Sequence, residues 1–152
     1  MSRILTRTPL RDRFRMAAEW RPQAMCWMLW PERPDVWRQA AKPARVAFAA
    51  LAAAIARFQP VTVGASAAAY PLARAALHPR VRVIELSGDD AWMRDTGPTF
   101  TINARGEARG VHWRFDAWGG LYADCQRDRD MGAKVCELIG MDRYRAKLVA
   151  EG

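Results

Sequence analysis

Short apolar runs punctuated by proline alternate with helix-patterned stretches from Ala24 to Leu86, and this alternation restricts the chain more than any other feature. Ala24–Trp30 (AMCWMLW) lies between Pro22 and Pro31 and reads as a buried strand, with Pro31–Asp35 as turn material. Pro43 suits the first turn of a helix, where its missing N–H leaves no bond unmade. Behind it Phe48, Leu51, Ile55 and Phe58 recur at helical spacing, and the helix is expected to stop before Pro60. Val61–Val63 reads as a short β-branched strand, Ser66 as the cap of a helix running through Leu77, and Val81–Leu86 as the next strand. Farther on, Pro98–Asn103 and Ala108–Phe115 read as paired strands joined by a turn at Asn103–Gly106. Asp128–Ile139 reads as a helix closed by Gly140, and Leu148–Val149 as the opening of one more strand. Strands alternating with helices specify an α/β (α+β) fold.

Charge narrows the function classes. Lys plus Arg number 24 against 16 acids, a net charge of +8. The surplus sits in the first 58 residues, eleven basic residues against four acids, as scattered Arg without a K/R-rich block. Such scatter does not build a nucleic-acid stripe, and no nucleic-acid partner is expected. Residues 1–15 form an Arg-rich leader with no assigned element and no apolar core of a secretory signal. The longest apolar run, Val46–Ala56, is mostly alanine and too short to cross a bilayer, so no membrane partner is expected. Cys26, Cys125 and Cys136 form no CxxC pair, and an odd count points to a reducing, cytoplasmic setting. His78 and His112 have no metal-like spacing, so no metal is expected.

Two stretches carry candidate chemistry. Ser87–Phe100 (SGDDAWMRDTGPTF) gathers Asp89, Asp90 and Asp95 with Trp92 and Arg94 directly behind a strand. A carboxylate can take two N–H bonds from a planar guanidinium, and a Trp face beside it can stack on the cation. The plainer alternative is a turn at Asp95–Pro98 with an Asp90–Arg94 surface ion pair, and residue chemistry alone favours it. The second stretch, His112–Gly120 (HWRFDAWGG), combines aromatic surface with a Gly-Gly bend, and here too residue chemistry alone favours the plainer alternative, core aromatics and a glycine turn. Trp20, Trp27, Trp30 and Trp37 read as core packing.

Motif order tips the balance. MAAEW (16–20), WMLWPERPDVW (27–37), DDAWMRDTGPTF (89–100), WRFDAWGG (113–120) and LVAEG (148–152) follow one another as in the amino-terminal part of the agmatine deiminase and bacterial-type peptidylarginine deiminase family, which residues 16–152 resemble. The resemblance implies a pentein-like α/β propeller, of which this length supplies roughly two of five ββαβ modules. It implies hydrolysis of a guanidinium to a ureido group and ammonia by a Cys–His pair, without cofactor. The implied substrate is a small cationic guanidine, agmatine rather than peptidyl-arginine, giving N-carbamoylputrescine. Carried over residue by residue, Asp95 is the guanidinium-holding carboxylate, Trp92 and Trp118 are pocket walls, and Glu151 contacts substrate. Ala17 and Asp116 depart from the family's usual Pro and Asn.

The family's His-x-Asp and late Gly-rich Cys motifs have no counterpart here, since His78 precedes Pro79–Arg80 and His112 precedes Trp113–Arg114. The chain is therefore expected to be truncated within an EGG-type motif and to lack its nucleophile and acid/base. Two alternatives stand beside this reading. One is an inactive remnant that self-associates through exposed sheet edges; the other, weaker one is a basic nucleic-acid-binding module.

Overall fold

In the computed structural model, residues Ser2–Ala150 are described. The strands are β1 Ile4–Leu5, β2 Arg15–Met16, β3 Cys26–Leu29, β4 Val61–Ala65, β5 Arg82–Glu85, β6 Thr99–Ile102, β7 Ala108–Arg114 and β8 Arg143–Val149. The helices are α1 Lys42–Ile55, α2 Tyr70–Ala76, α3 Met93–Thr96, α4 Ala117–Gly120 and α5 Gln126–Leu138. They fall into two compact units: one holds Pro22–Met93, the other the described residues up to Arg21 and from Arg94 onward.

The Pro22–Met93 unit is a three-stranded parallel sheet in the order β3-β4-β5. Parallel strands need long crossovers, and α1 and α2 supply them. All five residues of central β4 are buried, as expected of a strand covered on both faces. The core gathers Met28, Trp30, Val61, Val63, Leu77 and Val81. Onto it α1 lays Phe48, Ala52 and Ile55, of which Ala52 is fully buried. The expected stripe through Leu51 and Phe58 is thus shifted. A helix turns about 100° per residue, which centres the stripe on Ala52 and carries Leu51 to the exposed flank. Phe58 lies past the end of α1 and is 84% exposed.

The helix expected from Ser66 begins instead at Tyr70, with Pro71 in its first turn. Ser66 caps the turn before it. Its Oγ accepts the Ala69 N–H at 3.2 Å and donates to Glu32 at 2.6 Å, while its own N–H donates to Glu32 at 2.8 Å.

The other unit is built on a five-stranded mixed sheet, β1-β8-β7-β6-β2. Its order β6–β7–α5–β8 is a ββαβ module, with α5 packed on β7. The β6–β7 hairpin forms as expected, and Asn103 closes it by accepting the N–H groups of Arg105 and Glu107. The last strand does not open at Leu148; it opens at Arg143 and ends at Val149. Arg143, Arg145 and Lys147 alternate with Tyr144, Ala146 and Leu148, a two-residue period that marks the strand from its first residue. Arg143 is nonetheless buried, its guanidinium held by Ser2 and Glu137.

The Arg-rich leader carries structure of its own. Ile4 and Leu5 pair in parallel with Arg143 and Tyr144, and Arg15–Met16 pair with β6. Asp12 receives Arg109 at 2.7 Å and the Tyr144 hydroxyl at 3.0 Å, while the Arg109 guanidinium lies 4.2 Å from the Phe14 ring centroid.

At the end of β1, Asp142 accepts the Arg3 backbone N–H at 2.9 Å and its guanidinium at 2.6 Å. These hydrogen bonds, the side-chain one foremost, hold the Asp142 carboxyl below its ordinary value. A depressed carboxyl stabilises the fold above its unfolded pKa and loses that contribution as pH falls through the folded one. Below about pH 4, β1 is therefore expected to loosen from β8. The check is hydrogen exchange at the Arg143 amide, which donates to Arg3 O, against Val111 in β7 as reference. Exchange at Arg143 that stays in step with Val111 down to pH 2 would contradict this.

Candidate active site

In the Pro22–Met93 unit the residues of interest follow the carboxyl ends of the parallel strands, where α/β sheets usually mount ligands. Trp30 and Glu32 follow β3, and Leu86–Asp90 follow β5. Asp90 is only 7% exposed. One of its oxygens accepts the Trp37 indole N–H at 2.9 Å and the Ala91 backbone N–H at 2.7 Å; the other accepts the Trp92 indole N–H at 2.9 Å. The Trp37 and Trp92 rings stack with centroids 5.5 Å apart at 27°. In the other unit, the Arg94 guanidinium lies 2.6 Å from Glu19.

The other unit carries Asp95 and Trp118. Asp95 is half-buried on the single turn α3, and accepts the Trp118 indole N–H at 3.1 Å. Phe115 and Tyr122 meet the Trp118 ring edge-on, at centroid distances of 5.1 and 6.3 Å. The backbone beneath is unusual: Ala117, Trp118, Gly119 and Gly120 all have positive φ, between 53° and 86°. Glycine adopts that region freely, whereas Ala117 and Trp118 do so under strain. Asp116 helps hold the bend, its side chain accepting the Gly119 N–H at 2.8 Å. Strain of this kind is characteristic of residues whose orientation matters more than their stability.

Of the residues singled out from sequence, the structure joins Asp95 to Trp118 and ties Trp92 to Asp90 and Trp37. Glu151 lies outside the described residues. Sequence reasoning missed Asp90 as an acceptor for two indoles, and it placed Trp37 in the core. The Asp90-x-Trp92 spacing was the available signal, but Trp37 lies 53 positions away from Asp90 and only the fold brings it there. Of the other tryptophans assigned to the core, Trp30 is buried, Trp27 is half-buried, and Trp20 is 89% exposed.

No cysteine for which a shift is resolved is tuned as a nucleophile. Catalytic thiols have depressed pKa values. Burial instead raises the Cys26 thiol, and burial first of all pushes Cys136 up to about 11. Native Cys136 is therefore expected to resist iodoacetamide at pH 8, and to alkylate readily once the chain is unfolded, as mass spectrometry of the modified peptide would show. Rapid labelling in the folded chain would remove this protection argument. The histidines are also occupied. His112 Nε2 donates to Arg129 O at 2.8 Å, and His78 Nδ1 accepts the Arg80 N–H at 3.1 Å. Among the described residues no group of three His, Cys, Asp or Glu side chains is placed to hold a metal, and no helix is long and apolar enough to cross a membrane.

Comparison with known proteins shows the family. The family model of the Porphyromonas-type peptidyl-arginine deiminases matches residues 15–152. The agmatine deiminase of Stutzerimonas stutzeri is 58% identical over 154 residues, covering 97% of this chain and 42% of that protein. That of Pseudomonas putida is 55% identical over 156 residues, covering 99% and 42%. The solved agmatine deiminase of Enterococcus faecalis superposes with a TM-score of 0.96 at 45% identity, over all of this chain and 43% of that one. The chain thus spans about two-fifths of the length of these relatives. The α/β expectation holds, in its pentein form. By motif order, family model and superposition alike, the chain belongs to the Porphyromonas-type peptidyl-arginine deiminase family.

Proposed function

We propose that this chain supplies guanidinium-holding residues to a hydrolase that deiminates agmatine to N-carbamoylputrescine and ammonia. The observation that supports it most is the Asp95 carboxylate, fixed by the Trp118 N–H and set beside the aromatic group of Trp118, Phe115 and Tyr122. Such a carboxylate can take two N–H bonds from a planar cation and orient its carbon for attack. In this reading Trp92 and Glu151 also contact substrate. The names of the relatives favour agmatine over peptidyl-arginine.

The chemistry that follows is thiolate addition to the guanidinium carbon, departure of ammonia with a proton supplied by an acid/base histidine, and hydrolysis of the amidino-thioether by water. Raised thiol pKa values at Cys26 and Cys136, and histidines engaged with backbone groups, support a nucleophile and acid/base outside this chain's own residues. The three unpaired cysteines agree with a reducing, cytoplasmic setting.

The test is a chimera in which residues 1–152 replace the matching part of the Stutzerimonas stutzeri agmatine deiminase. The chimera is expected to release ammonia and N-carbamoylputrescine from agmatine, and the 152-residue chain alone to release neither. Turnover by the chain alone that survives replacement of all three cysteines would sink the mechanism. A folded chimera that is inert toward agmatine would sink the substrate.

A second reading, self-association, draws on β8. Strand β1 pairs with only its first two residues, and Leu148 and Val149 at its far end are exposed. Open strand edges invite pairing with another chain. Size-exclusion chromatography across a concentration series separates this from a monomer.

A further inference from the structure

Asp90 does more than fill a loop. Its carboxylate is buried behind β5 and receives two indole N–H groups and one backbone N–H, so the edges of Trp37 and Trp92 are fixed to one anion. The stack fixes their faces as well, and Phe48 of α1 meets Trp37 edge-on at 5.9 Å. A line of aromatic contacts therefore runs from the apolar core through Phe48 and Trp37 to Trp92, which is 41% exposed. An indole face carries negative potential, and a carboxylate in hydrogen bond with the indole edge adds to it. The result is a rigid plate that favours a cation over a neutral or anionic group.

We propose that Asp90 is a positioning residue for cation recognition: it locks the Trp37–Trp92 pair so that Trp92 presents a fixed ring face to the alkylguanidinium substrate. The inference rests on the agmatine reading above for the nature of the cation, and it adds Asp90 and Trp37 to the residues on which that recognition depends.

The hydrogen-bond pattern makes a directional test possible. In Asp90→Asn, an amide oxygen can keep the position where the Trp37 and Ala91 N–H groups converge. The amide NH2 then faces the Trp92 N–H, donor against donor. The indole N–H signals of the ¹⁵N-labelled 152-residue chain, assigned through Trp37→Phe and Trp92→Phe, report both sites. In Asp90→Asn the Trp92 signal is expected to shift and exchange faster with solvent, while the Trp37 signal holds. Titration of the wild-type chain with agmatine is expected to move the Trp92 signal saturably, and Asp90→Asn to weaken that binding roughly tenfold.

If Asp90→Asn does not fold, Trp37→Phe takes its place. It removes one donor from Asp90 without altering the exposed ring, and the same weakening is expected. An unmoved Trp92 signal in Asp90→Asn overturns the proposal. So does agmatine binding within twofold of wild type in the variant, or no agmatine response at Trp92 in the wild type. The deiminase reading is judged separately by turnover in the chimera, so failure of one is distinguishable from failure of the other.

Discussion

Asp95→Asn, made in the active chimera, is expected to lower kcat/KM for agmatine roughly 10²- to 10³-fold while leaving the melting temperature nearly unchanged. The substitution preserves shape, and an amide oxygen can still accept the Trp118 N–H that the carboxylate takes at 3.1 Å. What disappears is the negative charge and one of two acceptors. A guanidinium offers only donors along its edge, so an amide NH2 set against it is both uncharged and mismatched. Loss of a charged bidentate partner in a partly buried site costs about 3–4 kcal/mol. Steady-state kinetics with agmatine decide it. A rate within fivefold of the parent chimera would take Asp95 out of the site, and an equal loss of stability would reassign it to the fold.

Gly110→Ala is expected to destabilise the unit that contains it by about 2–3 kcal/mol. This position in β7 calls for glycine by proximity. A Cβ built there would lie 2.3 Å from Cys136 Sγ, and Cys136 on α5 is fully buried. Strand and helix thus meet closely at this point, and a methyl group there requires the buried sulfur or the backbone to shift. For a chain of this length, the loss corresponds to a melting temperature lower by roughly 5–10 °C. Removing the obstructing sulfur separates contact from general damage. Gly110→Ala with Cys136→Ala should be more stable than Gly110→Ala alone, a coupling that a double-mutant cycle measures. Denaturant melts showing simple additivity would mean that the two residues do not oppose each other.

The two units were legible in the sequence to different degrees, for physical reasons. In the Pro22–Met93 unit the signals are local. Prolines bound β3, β-branched residues mark β4 and β5, and each parallel strand is apolar enough to be seen alone. In the other unit the information is mostly non-local. Strand β1 is two residues long inside an Arg-rich stretch, and it exists because β8 lies beside it. Strand β8 alternates cations with Tyr144, Ala146 and Leu148, a period visible in the sequence, whereas the burial of Arg143 depends on Ser2 and Glu137, which are distant from it or exposed.

The candidate site divides in the same way. Asp95, Trp92 and Trp118 stand inside recognisable motifs. Asp90 and Trp37 stand in motifs as well, but nothing in the sequence pairs them, because Trp37 reaches Asp90 only after β3, α1 and β5 have assembled. The strained φ angles at Ala117 and Trp118 were likewise hidden, since only the glycines of that bend announce themselves.

The parallel pairing of β1 with β8 imposes an order on biosynthesis. Ile4 must wait for Arg143, a partner 139 positions later in the chain. The strands of the Pro22–Met93 sheet all emerge within one span, and their contacts can close while the rest of the chain is still being made. At about 5–20 residues per second, translation leaves the first residues without their strand partner for several seconds after they leave the ribosome. Folding of the unit that contains β1 and β8 is thus set to finish last and to be the slower step, because its closure depends on so distant a contact.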